Sequence, residues 1–238
     1  MCFSAQADLL GGVVVGAIGV DVLRHLAGRR RYLGLAALPL LFGLHQLVEA
    51  FVWWGLQGHV SERIGTIATW IYLLFAFVLL PVLVPIGVML IEPKGRRRTM
   101  MMVFVALGVA VSAILLAAML RGPVTASLET HHIGYTTDLH AGLVVVAAYV
   151  TATCGSLVLS GFRDIAIFGI INLVAVAVFA KLAIDGFASL WCAWAAVTSG
   201  AFAVHLRYGR GGTARVAGND LRPDGGRNSS PMARACGR

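Results

Sequence analysis

Histidine and glutamate four residues apart are the first chemistry this chain offers. His45 and Glu49 stand inside the apolar stretch HQLVEAFVWW, residues 45–54. On a helix, positions i and i+4 share a face, so the imidazole and the carboxyl point the same way. Three kinds of chemistry use such a pair. Imidazole and carboxylate are ligands for zinc, copper or iron, and His131, His132 and His140 would complete a coordination shell. Without a metal, Glu49 acts as a general acid or base with His45 as its partner. Trp53, Trp54, Trp70, Tyr72, Tyr135 and Trp191 then line a pocket for a lipid-like or small apolar substrate. As an ion site, His45 and Glu49 join Lys181 and Asp185, themselves four apart, to bind a proton or metal ion in a transporter, channel or sensor.

Cys2 adds a fourth option. Removal of the initiator methionine leaves an amine and a thiol together, a nucleophile or a metal chelate. It could equally pair with Cys192 in a disulfide, or stay an inert thiol. Each assignment has a plainer counterpart. His45 and Glu49 could bond neighbouring helices as packing groups in a non-catalytic membrane subunit. Lys181 could snorkel or pair with Asp185, and the tryptophans could form an interfacial belt. His131 and His132 could be exposed loop residues, and Asp21 should pair with Arg24 or His25.

Composition decides what must hold these groups. The 238 residues are 58% hydrophobic and 13% charged, with a mean hydropathy of +0.83. A soluble domain of this size has too little interior to hide that much apolar surface. The apolar residues fall in runs of about 20, enough to cross a hydrocarbon core of about 30 Å. The chain is therefore all-α and polytopic, with the lipid bilayer as its first partner.

Charged breaks divide it into seven spans, near 9–27, 33–56, 64–91, 100–120, 139–159, 165–182 and 187–206. Pro81 and Pro85 predict a bend in the third. The N-terminus reads as the start of a retained first helix, since MCFSAQADLL lacks a basic leader and a cleavage site. Residues 1–206 form the transmembrane domain, and 207–238, rich in Gly and Arg, form a disordered basic tail. The net charge of +8 lies in short loops and this tail rather than in an aromatic-interleaved patch, so no nucleic-acid partner is expected.

The positive loops fix an expected orientation. Arg29, Arg30 and Arg31 follow span 1, Lys94, Arg96, Arg97 and Arg98 follow span 3, and Arg163 follows span 5. Alternate loops carry only Arg63 and Arg121, which places the N-terminus outside and the C-terminus in the cytoplasm of a plasma-membrane protein. Glu49 then lies about 10 Å below the outer end of span 2, with His45 one turn deeper. Lys181, Asp185, Trp191 and the loop GPVTASLETHHIGYTTDLH fall in the same outer half. The expectation is an outward-facing polar pocket built on His45 and Glu49, roofed by that loop.

MCFSA (1–5), HQLVEAFVWW (45–54), HHIGY (131–135) and LWC (190–192), taken together, resemble a bacterial family of multi-pass membrane proteins that carries only a domain-of-unknown-function label. The resemblance runs to about residue 206. It implies a membrane architecture and assigns no activity.

Overall fold

A hydroxyl sets where the chain becomes helical. In the computed structural model, which describes residues 4–26, 30–128, 133–136, 142–182, 194–201 and 204, the extended Ser4 accepts a hydrogen bond from the Ala7 N–H at 3.3 Å and caps helix α1, Ala5–Arg24. The helix thus starts four residues before the predicted Leu9. Asp8 falls in its first turn, where a carboxylate faces the positive end of the helix dipole. At the other end Asp21 pairs with His25, 3.4 Å from its Nδ1.

A tight turn at Arg30–Tyr32 leads into α2, Leu33–Leu56, followed by α3, Glu62–Ile91, and α4, Arg96–Arg121. These four helices are each long and apolar enough to cross a membrane. A shorter apolar helix, α5 (Gly142–Val158), precedes α6, Arg163–Leu182. Residues 194–201, inside the predicted seventh span, are helical as well. Large apolar side chains point outward, Leu120 at 70% exposure and Leu143 at 85%, whereas Asp8, His45, Glu49 and Asn172 are buried. That inversion suits a bilayer and would be costly in water.

The all-α expectation needs one correction. Between α4 and α5 lies an antiparallel hairpin, β1 (Thr125–Leu128) paired with β2 (Ile133–Thr136), in the register Thr125↔Thr136 to Leu128↔Ile133. It is more than a linker, because Ile133 is fully buried and packs with Ala5, Trp53 and Ala68 from the first three helices.

The irregularity in α3 lies ahead of the bend expected at Pro81 and Pro85, beginning about two turns before Pro81. Residues Leu74–Leu79 are π-helical, and the π-turn leaves carbonyls that side chains then satisfy. Tyr149 Oη donates to the Ala76 carbonyl at 2.8 Å and Ser112 Oγ to that of Val78 at 2.7 Å. The Pro81 carbonyl, which Pro85 cannot bond, lies against Gly108 of α4, where any Cβ would collide with it. A second π-helical stretch, Thr151–Gly155, interrupts α5.

Two glycine contacts set the helix registers. A Cβ on Gly12 of α1 would lie 2.8 Å from the Gly43 carbonyl oxygen, and one on Gly43 would lie 2.5 Å from the Gly16 nitrogen. Where α2 meets α3, a Cβ on Gly55 would lie 2.5 Å from the Gly65 Cα. Such backbone approach is the means by which helices associate in lipid. At the opposite, basic end, Glu92 (2% exposed) accepts from Ser160 Oγ and from the Gly161 N–H, both at 2.7 Å, fastening α3 to the α5–α6 turn.

Candidate functional site

The Gly12–Gly43 contact has a consequence one turn toward the hairpin. On α1 that turn carries Asp8; on α2 Gln46 lies one turn beyond Gly43 and Glu49 nearly two. Asp8 and Glu49 are both fully buried, with Glu49 within electrostatic reach of Asp8. Gln46, also buried, donates from Nε2 to Glu49 Oε2 at 3.3 Å. The Trp53 indole sits close enough to influence Asp8. Among the described residues, though, neither Asp8 oxygen nor Trp53 Nε1 completes a hydrogen bond. No Lys or Arg is buried among the described residues. The result is two carboxyl groups from different helices, sharing an apolar enclosure.

His45 occupies the adjoining space. Its ring stacks on Tyr72 of α3 at 4.0 Å between centroids and 16° between planes, and meets Phe75 at 4.5 Å. Tyr72 in turn stacks on Tyr135 of β2 at 4.8 Å, and Phe75 meets Phe42 edge-on at 5.7 Å. An aromatic column thus runs from the hairpin into the bundle, with His45 at its middle. The imidazole is 3% exposed, and its Nε2 has no hydrogen-bond partner among the described residues.

Of the residues singled out from sequence, His45, Glu49, Trp53, Tyr72 and Tyr135 come together here. The hairpin does fold back over α2 and α3, delivering Tyr135. Trp70 is half-buried and packs on the cluster that contains Tyr72. Cys2, His131, His132, His140, Asp185 and Trp191 lie outside the described residues, as does the side chain of Lys181. Among the described residues no three His, Cys, Asp or Glu side chains converge as a metal site. The sequence reading missed Asp8, which stands at the edge of the first apolar run. Two signals mark it: Ser4 as a cap four residues earlier, and the small-residue pair Gly12 and Gly16, which puts Asp8 on the packed face of α1.

Residues 1–217 match a family described as a family of unknown function, DUF6629. The chain belongs to that family. The DUF6629 match extends past the end of the predicted seventh span at residue 206 and brings no assigned chemistry. No curated protein and no solved structure matches the chain. Function in this DUF6629 protein therefore has to be argued from the Asp8–Glu49 pair and its surroundings.

Proposed function

We propose that this is an ion-coupled membrane protein, a transporter, channel or sensor, whose Asp8–Glu49 pair binds a proton reached from the hairpin end. The observation that carries this is the full burial of two carboxyl groups within electrostatic reach of each other, where α1 packs closely on α2. Two adjacent negative charges are not held in an apolar interior; a proton or cation shared between them removes most of the cost. Gln46 Nε2 donates to Glu49 Oε2, a contact that suits a carboxylate still carrying charge. In this reading α1 to α6 and the helix at 194–201 are seven spans. The hairpin end faces outward in a plasma membrane, and the end bearing Lys94, Arg96, Arg97, Arg98 and Arg163 faces the cytoplasm.

The test is infrared spectroscopy of the full chain in lipid. A protonated-carboxyl C=O band should be present at neutral pH and should disappear in the Asp8→Asn/Glu49→Gln double variant. A spectrum identical in wild type and double variant would overturn the proposal. One observation favours a second reading, a membrane-embedded enzyme. Trp53, Tyr72 and Tyr135 gather around the carboxyl pair and His45, as they would around a small apolar or cationic substrate. Substrate turnover by purified protein, lost in Glu49→Gln, would put that reading first.

A further inference from the structure

Two buried polar groups without partners stand side by side in the carboxyl site. Asp8 is fully buried, and among the described residues neither of its oxygens completes a hydrogen bond. Trp53 is 5% exposed, and its Nε1 completes none either. Yet the Trp53 N–H acts on Asp8 as a donor that stops short of hydrogen-bond geometry. A buried tryptophan ordinarily satisfies its N–H, and a buried charge draws in the donors within its reach. A carboxylate beside an idle indole N–H would close that bond. A neutral carboxylic acid pulls far less, because hydrogen bonds to an ionised acceptor are roughly twice as strong. Glu49 is in the opposite condition, since Gln46 Nε2 donates to its Oε2 at 3.3 Å. One carboxyl group of the pair is served by a donor and the other is not, which divides the proton unequally between them.

Building on the proposed carboxyl site, we infer that its proton resides on Asp8, that Glu49 keeps the charge, and that Trp53 is the donor that answers when Asp8 lets the proton go. In the release step the Asp8 O–H bond breaks and the proton passes to water at the hairpin end. Trp53 then turns its N–H onto the carboxylate and keeps its own hydrogen. Loading reverses both movements. The loaded state is favoured because Glu49 and the apolar surroundings resist a second negative charge in the pair. The released state is favoured by the new indole bond and by the positive end of the helix dipole, since Asp8 lies in the first turn of α1. Among the described residues the titratable groups around Asp8 are Glu49 of α2 and, in the cluster that holds Trp53, Tyr135 of β2. Ala5, one turn before Asp8, packs in that cluster with Trp53 of α2, Ala68 of α3 and Ile133 of the hairpin. A bond made or broken at Trp53 therefore acts where three helices and the covering hairpin meet, so the hairpin is placed to respond to the proton.

The experiment uses the full chain in lipid and reads the carboxyl infrared band together with the Trp53 indole N–H. Aspartate with an isotopically heavy side-chain carboxyl carbon should shift the band seen at neutral pH, and glutamate labelled in the same way should leave it in place. This arm needs no substitution, so it holds whether or not a variant folds. Asp8→Asn should abolish the band, which separates Asp8 from the other aspartates. On titration to alkaline pH, the indole nitrogen resonance of Trp53, assigned by its loss in Trp53→Phe, should move to the hydrogen-bonded position in step with loss of the band. In Asp8→Asn it should not move. A band that follows labelled glutamate or both labels, or one that follows aspartate yet survives Asp8→Asn, would overturn the assignment to Asp8 and leave the site reading standing. An indole signal that keeps its place while the band is lost would overturn the role of Trp53. If wild type shows no carboxyl band, the site reading fails and this inference with it.

Discussion

Gly43→Ala is the sharpest test of how the site is assembled. The added methyl would stand 2.5 Å from the Gly16 nitrogen, 2.6 Å from the Gly16 Cα and 2.8 Å from the Gly12 carbonyl oxygen. All three are backbone atoms of α1, so no rotamer change relieves them, and the helices must part by about 1 Å to reach ordinary contact. Overpacking of this kind costs about 1–3 kcal/mol. Replacing helical glycine by alanine returns up to about 1 kcal/mol through propensity. Gly11→Ala isolates that second effect, because nothing lies within 4 Å of its added Cβ. The two variants share the propensity gain, so their stabilities should differ by the overpacking cost alone, about 1–3 kcal/mol. Reversible unfolding of each purified variant in mixed micelles measures the difference. The carboxyl infrared band should shift in Gly43→Ala alone, since Asp8 rides on the helix that moves. If Gly43→Ala proved as stable as Gly11→Ala with an unchanged band, the close α1–α2 register would be refuted.

Three further expectations can be checked with the same preparations. Tyr149→Phe deletes the hydrogen bond to the Ala76 carbonyl and should cost about 1 kcal/mol in unfolding experiments; no loss would mean that the π-turn carbonyl needs no donor. Glu92→Ala removes two acceptor contacts at once and should cost about 3 kcal/mol, whereas Glu92→Gln, which keeps an acceptor oxygen, should cost clearly less; equal losses would show that charge rather than hydrogen bonding fastens the α5–α6 turn. Elemental analysis of purified protein should find no stoichiometric zinc, copper or iron, and near-stoichiometric metal lost in His45→Ala would displace the proton reading.

How much of this was legible in the sequence follows from what each signal measures. Hydropathy sees long apolar runs, and the first four spans match helices to within a few residues at most ends. The first start was placed late because hydropathy weighs Asp8 as a charge that ends a run, whereas Ser4 and the helix dipole make it a good first-turn residue. The hairpin was invisible for a different reason. Strands of four residues give too little alternation to read, and what holds them is burial of Ile133 and stacking of Tyr135 on partners far away in sequence. Pro81 and Pro85 pointed to a bend in α3, whereas the irregularity present is the π-helical stretch Leu74–Leu79 ahead of them. Its form, a π-turn answered by Tyr149 and Ser112, depends on side chains from two other helices.

The spacing of His45 and Glu49 was read as one face and hence one site, and that step is where sequence reasoning is most easily misled. Residues i and i+4 diverge by about 40° around a helix, and at a helix packed on two neighbours that angle separates two environments. Glu49 turns to Asp8 on α1, while His45 turns to Tyr72 and Phe75 on α3. Ligation by the pair would need a third group that joins those two environments, and among the described residues no His, Cys, Asp or Glu supplies one.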